Sequence, residues 1–192
     1  MKAYEEVITP EAETDPGLFS VHTLGEELYY EIPLEYLDRE MILQSRIART
    51  ANGIGFGGEQ TDYSVVTWER VGDRILLRRM NYENVADESE PISRAVEASN
   101  FAPIIATFEI AAVAPDSAAL VIEVTDLFTD DIPLLGLQKA RREQDSVRRL
   151  DADRTFLLWT KSFPTNVEVR RVLTYEATEP PTDSPTNTIS LE

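Results

Sequence analysis

Apolar and polar residues alternate with a period of two along most of this chain, the pattern of strands that bury one face. "LFSVHTL" and "ELYYEIP", separated by "GE", predict a β-hairpin with Phe19, Val21 and Tyr29 toward a core. "PLEYLDRE" predicts one helical turn opening at Pro33, and "EMILQSRIAR" a third strand. In "YSVVTWERVGDRILLRRMNY", Val65, Val66, Trp68 and Val71 mark one strand and Ile75, Leu77 and Met80 the next, with the turn at Gly72 and Asp73. The period then changes. In "ESEPISRAVEASNFAP", Ile92, Ala95, Val96 and Ser99 share a helical face, with Ser89 as N-cap, Pro91 in the first turn and Asn100 as the stop. "IIATFEIAAVAPDSAALVIEVTDLF" predicts two long strands around "APDSA", with Phe108, Ile110, Leu120, Ile122 and Val124 in the core. "PLLGLQKARREQDSVRRLD" predicts a helix with a break. "RTFLLWTKSF" and "VEVRRVLTYEA" predict a last hairpin around "PTN".

Together these elements predict an α+β fold, predominantly antiparallel β, as a hairpin-connected sheet or sandwich with two or three short helices. Residues 1–17 form an acidic N-terminal segment ending in the turn signal "TDPG", and 18–177 a single β-rich domain. The Pro/Thr/Ser-rich stretch 178–192, "TEPPTDSPTNTISLE", is expected to be linker or a truncated tail.

Charge narrows the partners. Of 192 residues, 35 are acidic and 18 basic, a net charge of −17. Such a surface repels phosphate backbones and anionic bilayers, so no nucleic acid is expected as a partner. No apolar run approaches the ~20 residues of a membrane-spanning helix, so no membrane insertion is expected. The N-terminus "MKAYEEVITPEAETD" has no signal-peptide apolar region; if the protein is exported, that signal is missing from this chain.

Candidate chemistry is sparse. Gly53, Gly55 and Gly58 in "ARTANGIGFGGEQTD" spell G-x-G-x-x-G, but a dinucleotide site needs strand, glycine turn and helix in succession. Here the surroundings read strand–loop–strand, and Asp73, spaced like a ribose ligand, falls in a hairpin turn. The glycines instead predict a mobile connection and, with Gly57, a contact surface. There is no cysteine and one histidine, His22, on the strand face opposite Phe19 and Val21, so this chain cannot build a zinc site or a thiol nucleophile. His22 is expected to be structural or solvated. A carboxylate acid–base pair is not legible among so many acids. The acidic runs 83–90 and 126–131 are the cation candidates, the better set being Asp126, Asp130 and Asp131 for calcium; helix capping is their alternative use. The basic segment with Arg141, Arg142, Arg148 and Arg149 pairs either with local acids or with another domain. Tyr29, Tyr30, Trp68 and Trp159 all lie in strands, as core rings or as a glycan-stacking strip.

The ordered series "GLFSVH", "LYYEIPLEYLDREMILQSRIA", "VVTWERVGDRILLRRMNY", "ADESEPISRAVEASNFAPIIATFEI", "SAALVIEVTDLFTDD" and "SFPTNVEVRRVLTY" resembles the N-terminal domain of unknown function in bacterial zincin-type metalloproteases, over roughly residues 4–176. The resemblance implies a parent zinc metallopeptidase whose H-E-x-x-H and zinc lie further along the polypeptide. No catalytic or metal residue carries over, because no position here matches that motif, and no cofactor is expected in this chain. It further implies export to the periplasm, cell surface or medium, and a non-catalytic module that packs against or positions the downstream catalytic domain. Gly53, Gly55, Gly57 and Gly58, the four arginines, and Pro164 and Asn166 of the "SFPTN" turn are the expected contact surface. The alternative is a free-standing β-rich module that binds glycan or peptide through exposed aromatics.

Overall fold

Backbone hydrogen bonds gather the alternating segments into two antiparallel sheets. The computed structural model describes residues 1–51, 54–82, 86–87, 89–181 and 184–192. The chain runs through α1 (Tyr4–Val7), β1 (Glu13–Asp15), β2 (Ser20–Leu24), β3 (Glu27–Pro33), a 3-10 turn at Leu34–Tyr36, β4 (Met41–Arg46), β5 (Gln60–Val71) and β6 (Arg74–Arg79). It continues through α2 (Ser93–Ser99), β7 (Ile104–Val113), β8 (Ala119–Glu123), α3 (Thr125–Thr129) and α4 (Lys139–Gln144). The last elements are β9 (Val147–Leu150), a 3-10 turn at Ala152–Arg154, β10 (Phe156–Ser162), β11 (Val167–Ala177) and β12 (Thr188–Leu191). The predicted α+β, mainly antiparallel class is the observed one.

The larger sheet has eight strands in the order β1-β2-β3-β8-β7-β6-β5-β4. Its two tight hairpins depend on glycine: Gly25 and Gly72 both take φ 63°, a left-handed conformation that opens a two-residue turn without a Cβ penalty. Register sets the faces. Val21 lies opposite Tyr30 and His22 opposite Tyr29, so Phe19, Val21 and Tyr30 point to one side. There they meet Trp68, Ile75, Leu77, Phe108, Ile122 and Phe128 in the main core, with Phe19–Tyr30 ring centroids at 5.6 Å and Trp68–Phe108 at 5.7 Å. Tyr29 is buried but on the opposite face, in a small cluster of Val7, Ala112 and Val121 under α1. The expectation that Tyr29 faces the same core as Phe19 is corrected by this register: adjacent strand residues point to opposite faces, so only one of Tyr29 and Tyr30 can join Phe19.

The smaller sheet is built on β11. Its first half pairs with β10, and its second half pairs with β9 and with β12. A second core lies here, with Tyr175, Leu173, Ile189, Leu191, Ile47 and Leu137. This sheet is pinned to the larger one at both ends. Ser162 donates its amide to Asp15 Oδ2 at 2.9 Å and its hydroxyl to the Phe19 carbonyl at 2.6 Å, and the Leu18 amide donates to the Phe163 carbonyl at 2.7 Å. Only glycine fits at 17, because a Cβ there would stand 2.3 Å from Ser162 Oγ and 2.7 Å from the Phe163 nitrogen. At the other end, Arg49 and Glu192 exchange backbone hydrogen bonds of 3.1 and 2.9 Å, and Thr50 bridges Leu191.

Several expectations change at the level of elements. Residues 125–129 turn into α3 instead of prolonging β8, and 147–150 leave the predicted broken helix to pair with β11. α2 begins at Ser93, after a turn that takes up Ser89 and Pro91. The N-terminal segment contributes α1 and the edge strand β1. The linker expected over 178–192 is corrected at its end: Thr188–Leu191 is a strand, with Ile189 0% exposed in the second core.

Ile189→Ala is expected to destabilise the protein by about 2–5 kcal/mol in urea unfolding, through lost burial plus the cavity left behind. Thr186→Ala, at an exposed site in the same segment, is expected to stay within about 0.5 kcal/mol of wild type. Equal and negligible effects would return the segment to linker.

Candidate functional site

Because β12 covers only the second half of β11, the first half of that strand has a partner on one side alone. Beside it opens a cleft of about 1020 Å³ between the two sheets, at the upper end of the range for small-molecule and peptide sites. Its floor is the aromatic end of the main core, with Phe19, Tyr30, Trp68 and Phe128. Its walls are residues 39–48, carrying β4, and residues 165–171, carrying β11.

Arg171 is the singular group of this cleft. Val167, Val169, Arg171, Leu173 and Tyr175 fall in one phase of β11, so an arginine occupies a position that the alternation reserves for an apolar side chain. Its guanidinium donates to the carbonyl oxygens of Phe128 and Leu135. Among the described residues it has no carboxylate within ion-pair distance. Burial pushes its pKa down to about 10, so it stays charged at neutral pH. Nearby, Tyr30 lines the cleft and its hydroxyl makes no hydrogen bond among the described residues; burial raises its phenol pKa, so it remains a neutral donor.

The glycine loop and the basic segment meet. Gly55 takes φ 62° with Arg141 packed beside it, and a Cβ there would stand 3.1 Å from Arg141 Nη2 and 2.6 Å from Glu59 Oε2. Gly57 and Gly58 lie in the same exposed turn, with Gly57 against the Ala48 carbonyl; Gly53 lies outside the described residues. The loop joins antiparallel β4 and β5, a context that refuses a dinucleotide site. The arginines pair locally: Arg141 with Asp145 at 2.7 Å, Arg149 with Glu176 at 2.8 Å, and Arg142 through two hydrogen bonds with Asp131 while stacked 5.2 Å over Tyr175. Arg148 is exposed. Pro164 and Asn166 form the β10–β11 turn, and Asn166 reaches the cleft mouth.

The structure does not assemble the calcium candidates. Asp131 is held by Arg142, Asp126 sits in the first turn of α3, and Asp130 caps that helix, its pKa raised by burial and then by its two acidic neighbours. Among the described residues no three metal-ligating side chains converge. Part of the run 83–90 lies outside the described residues.

His22 is 2% exposed, between Thr14 Oγ1 at 2.8 Å from Nδ1 and Glu31 Oε2 at 3.1 Å from Nε2. Tyr4 of α1 donates to the same Glu31 oxygen at 2.7 Å. This polar row lies on the outer face of the sheet, links β1, β2 and β3 across it and fastens α1 there, and neither His22 nor Thr14 lines the cleft. Of the four strand aromatics, Tyr29, Tyr30 and Trp68 are buried, and Trp159, at 39% exposed, stands at the cleft.

Sheet and cleft define a two-sheet antiparallel α+β domain with one large inter-sheet cavity. The family described as a domain of unknown function, DUF5117, matches residues 58–192, and a second, DUF5118, matches residues 1–50. The chain belongs to the DUF5117 family. No curated protein and no solved structure matches it. The two family matches meet inside one sheet: β4 pairs along its length with β5, β3 pairs with β8, and the cleft takes its walls from both.

Hydrogen bonds, first from His22 and then from Tyr4, hold the Glu31 carboxyl below its usual 4.5 against the opposing effect of burial. A carboxylate with a depressed folded pKa stabilises above its unfolded value and loses that contribution as pH falls through the folded one. Urea titrations are therefore expected to show Glu31→Gln less stable than wild type at about pH 7, with the gap closing as the pH falls through the lowered carboxyl pKa. A gap independent of pH would show that the ion contributes nothing.

Proposed function

We propose that this chain is a non-catalytic binding module whose working surface is the inter-sheet cleft. Its partner is polypeptide: the catalytic region of the zinc metallopeptidase that the sequence resembles. The observation that carries this reading is the cleft itself, an apolar cavity with an uncompensated arginine, walled by both family segments. In that reading the module folds first, holds part of the catalytic region in the cleft and positions it, while the zinc and its H-E-x-x-H belong to that region. Export follows from the same resemblance. A glycan-stacking strip has less support, since three of its four candidate rings are buried.

The gene beyond the codon for Glu192 tests this directly. An H-E-x-x-H region is expected there, and it should bind the purified chain in calorimetry with micromolar or tighter affinity. Deleting residues 1–176 should lower soluble, active protease by on the order of tenfold or more, as loss of a positioning contact does. A downstream region without the motif, or one that folds and cleaves casein equally well alone, overturns the proposal.

A further inference from the structure

Two residues suffice to join neighbouring antiparallel strands, yet β6 and β7, paired as far as Arg78 opposite Ile104, are linked by residues 80–103. Connections of that length in a compact domain are characteristic of binding loops. The base of this one is fixed. The Arg79 amide donates to the Pro103 carbonyl at 3.1 Å and the Met80 amide to the Val65 carbonyl at 2.8 Å. Arg78, paired with Glu69, donates to the Ala102 carbonyl at 2.8 Å and lies 4.9 Å over the Phe101 ring. The Tyr82 hydroxyl donates to Glu40. The approach to α2 is held by its own turns. Asp87 Oδ1 accepts from the Ser89 amide and hydroxyl, the Glu90 amide donates to the Asp87 carbonyl, and the Ile92 carbonyl accepts from the amides of Ala95 and Val96.

Apolar side chains on this projection face water. None of the described residues of 81–103 joins a hydrophobic cluster of either sheet. Ile92 is 57% exposed and Phe101 76%, and Tyr82 and Ala95 are exposed as well. Exposed apolar residues scattered singly need no explanation; several on one connection whose shape is fixed by hydrogen bonds mark an interaction surface. Charge selects the partner. Residues 81–103 carry Glu83, Asp87, Glu88, Glu90 and Glu97 against Arg94, five acids and one base, a net −4. At the base, Arg79 is exposed and Arg78 is already paired. Such a projection fits an apolar surface of opposite charge.

We infer that the β6–β7 projection is a second docking element, which sets Ile92 and Phe101 into an apolar groove rimmed by lysine or arginine on the catalytic region. This deepens the proposed function and rests on its polypeptide partner. With the cleft as one contact, a second contact outside it fixes the partner's orientation as well as its attachment.

The test is calorimetry of the 192-residue chain against the region encoded beyond the codon for Glu192. Ile92→Ser and Phe101→Ser are each expected to lose about tenfold in affinity, with circular dichroism confirming the fold. Val71→Ser, which alters an exposed apolar residue at the β5–β6 turn, should bind as wild type does. Raising NaCl from about 0.05 to about 0.5 M should weaken wild-type binding, and weaken Glu90→Gln less. Asn-Gly in place of residues 80–102 should lose at least as much as either serine variant. If that replacement does not fold, the serine variants at their exposed sites decide. Wild-type affinity in both serine variants overturns the inference and leaves the proposed partner intact. A wild-type chain without affinity for the region overturns the proposed function, and the inference with it. Self-association, or binding to phosphatidylcholine vesicles, that needs Ile92 and Phe101 while the region binds without them assigns the projection to a second copy or to a membrane, and overturns the inference too.

Discussion

An eight-stranded antiparallel sheet with one apolar face must cover that face, and here the cover is a smaller sheet in which β10 and β12 pair with different halves of β11. β10 reaches the β1–β2 side, where Ser162 and Gly17 fix it, and β12 reaches the β4 side, where Glu192 and Arg49 fix it. Only β11 runs between them. β12 pairs with Leu173–Glu176 of β11, and the cleft lies beside Val167–Arg171 of the same strand.

Arg171 shows what the gap does to energetics. In a closed core an arginine in an apolar phase would cost several kcal/mol for the desolvated charge. Here two carbonyls, at the end of α3 and in the segment after it, accept from the guanidinium, and the cavity leaves one side unsealed. Carbonyl oxygens supply partial charge without neutralising it. The residue is therefore tolerated while its field is directed into the cleft, an arrangement that suits recognition better than stability.

Much of this was legible in the sequence, and what was missed has a common cause. Hairpins carry local signals, and Gly25, Gly72 and the alternation of β5, β6, β10 and β11 suffice to place them. The isolated position of His22 opposite Phe19 also reads correctly from phase alone. Short strands paired over long sequence separations carry no such signal. "TISL" sits in a Pro/Thr/Ser-rich stretch and is buried only because Leu173 and Tyr175 stand beside it, and "VRRL" reads as basic helix until β11 supplies its ladder. Local composition cannot report a partner elsewhere in the chain. Arg171 did leave a trace, as the one charge in the phase Val167, Val169, Leu173 and Tyr175, but its meaning depends on a gap that alternation does not reveal.

The same long-range pairing governs how the two family segments relate. Residues 1–50 contain β3, whose free edge is filled by β8, and β4, whose inner edge is filled by β5. Separated from 58–192, that segment would expose both edges and the whole Phe19–Tyr30 surface to water, a state with neither ladder nor core. The boundary between the families is thus one of sequence descent and not of folding. A surface walled by both segments exists only in their combination, so a cleft partner recognises the joined unit and neither segment alone.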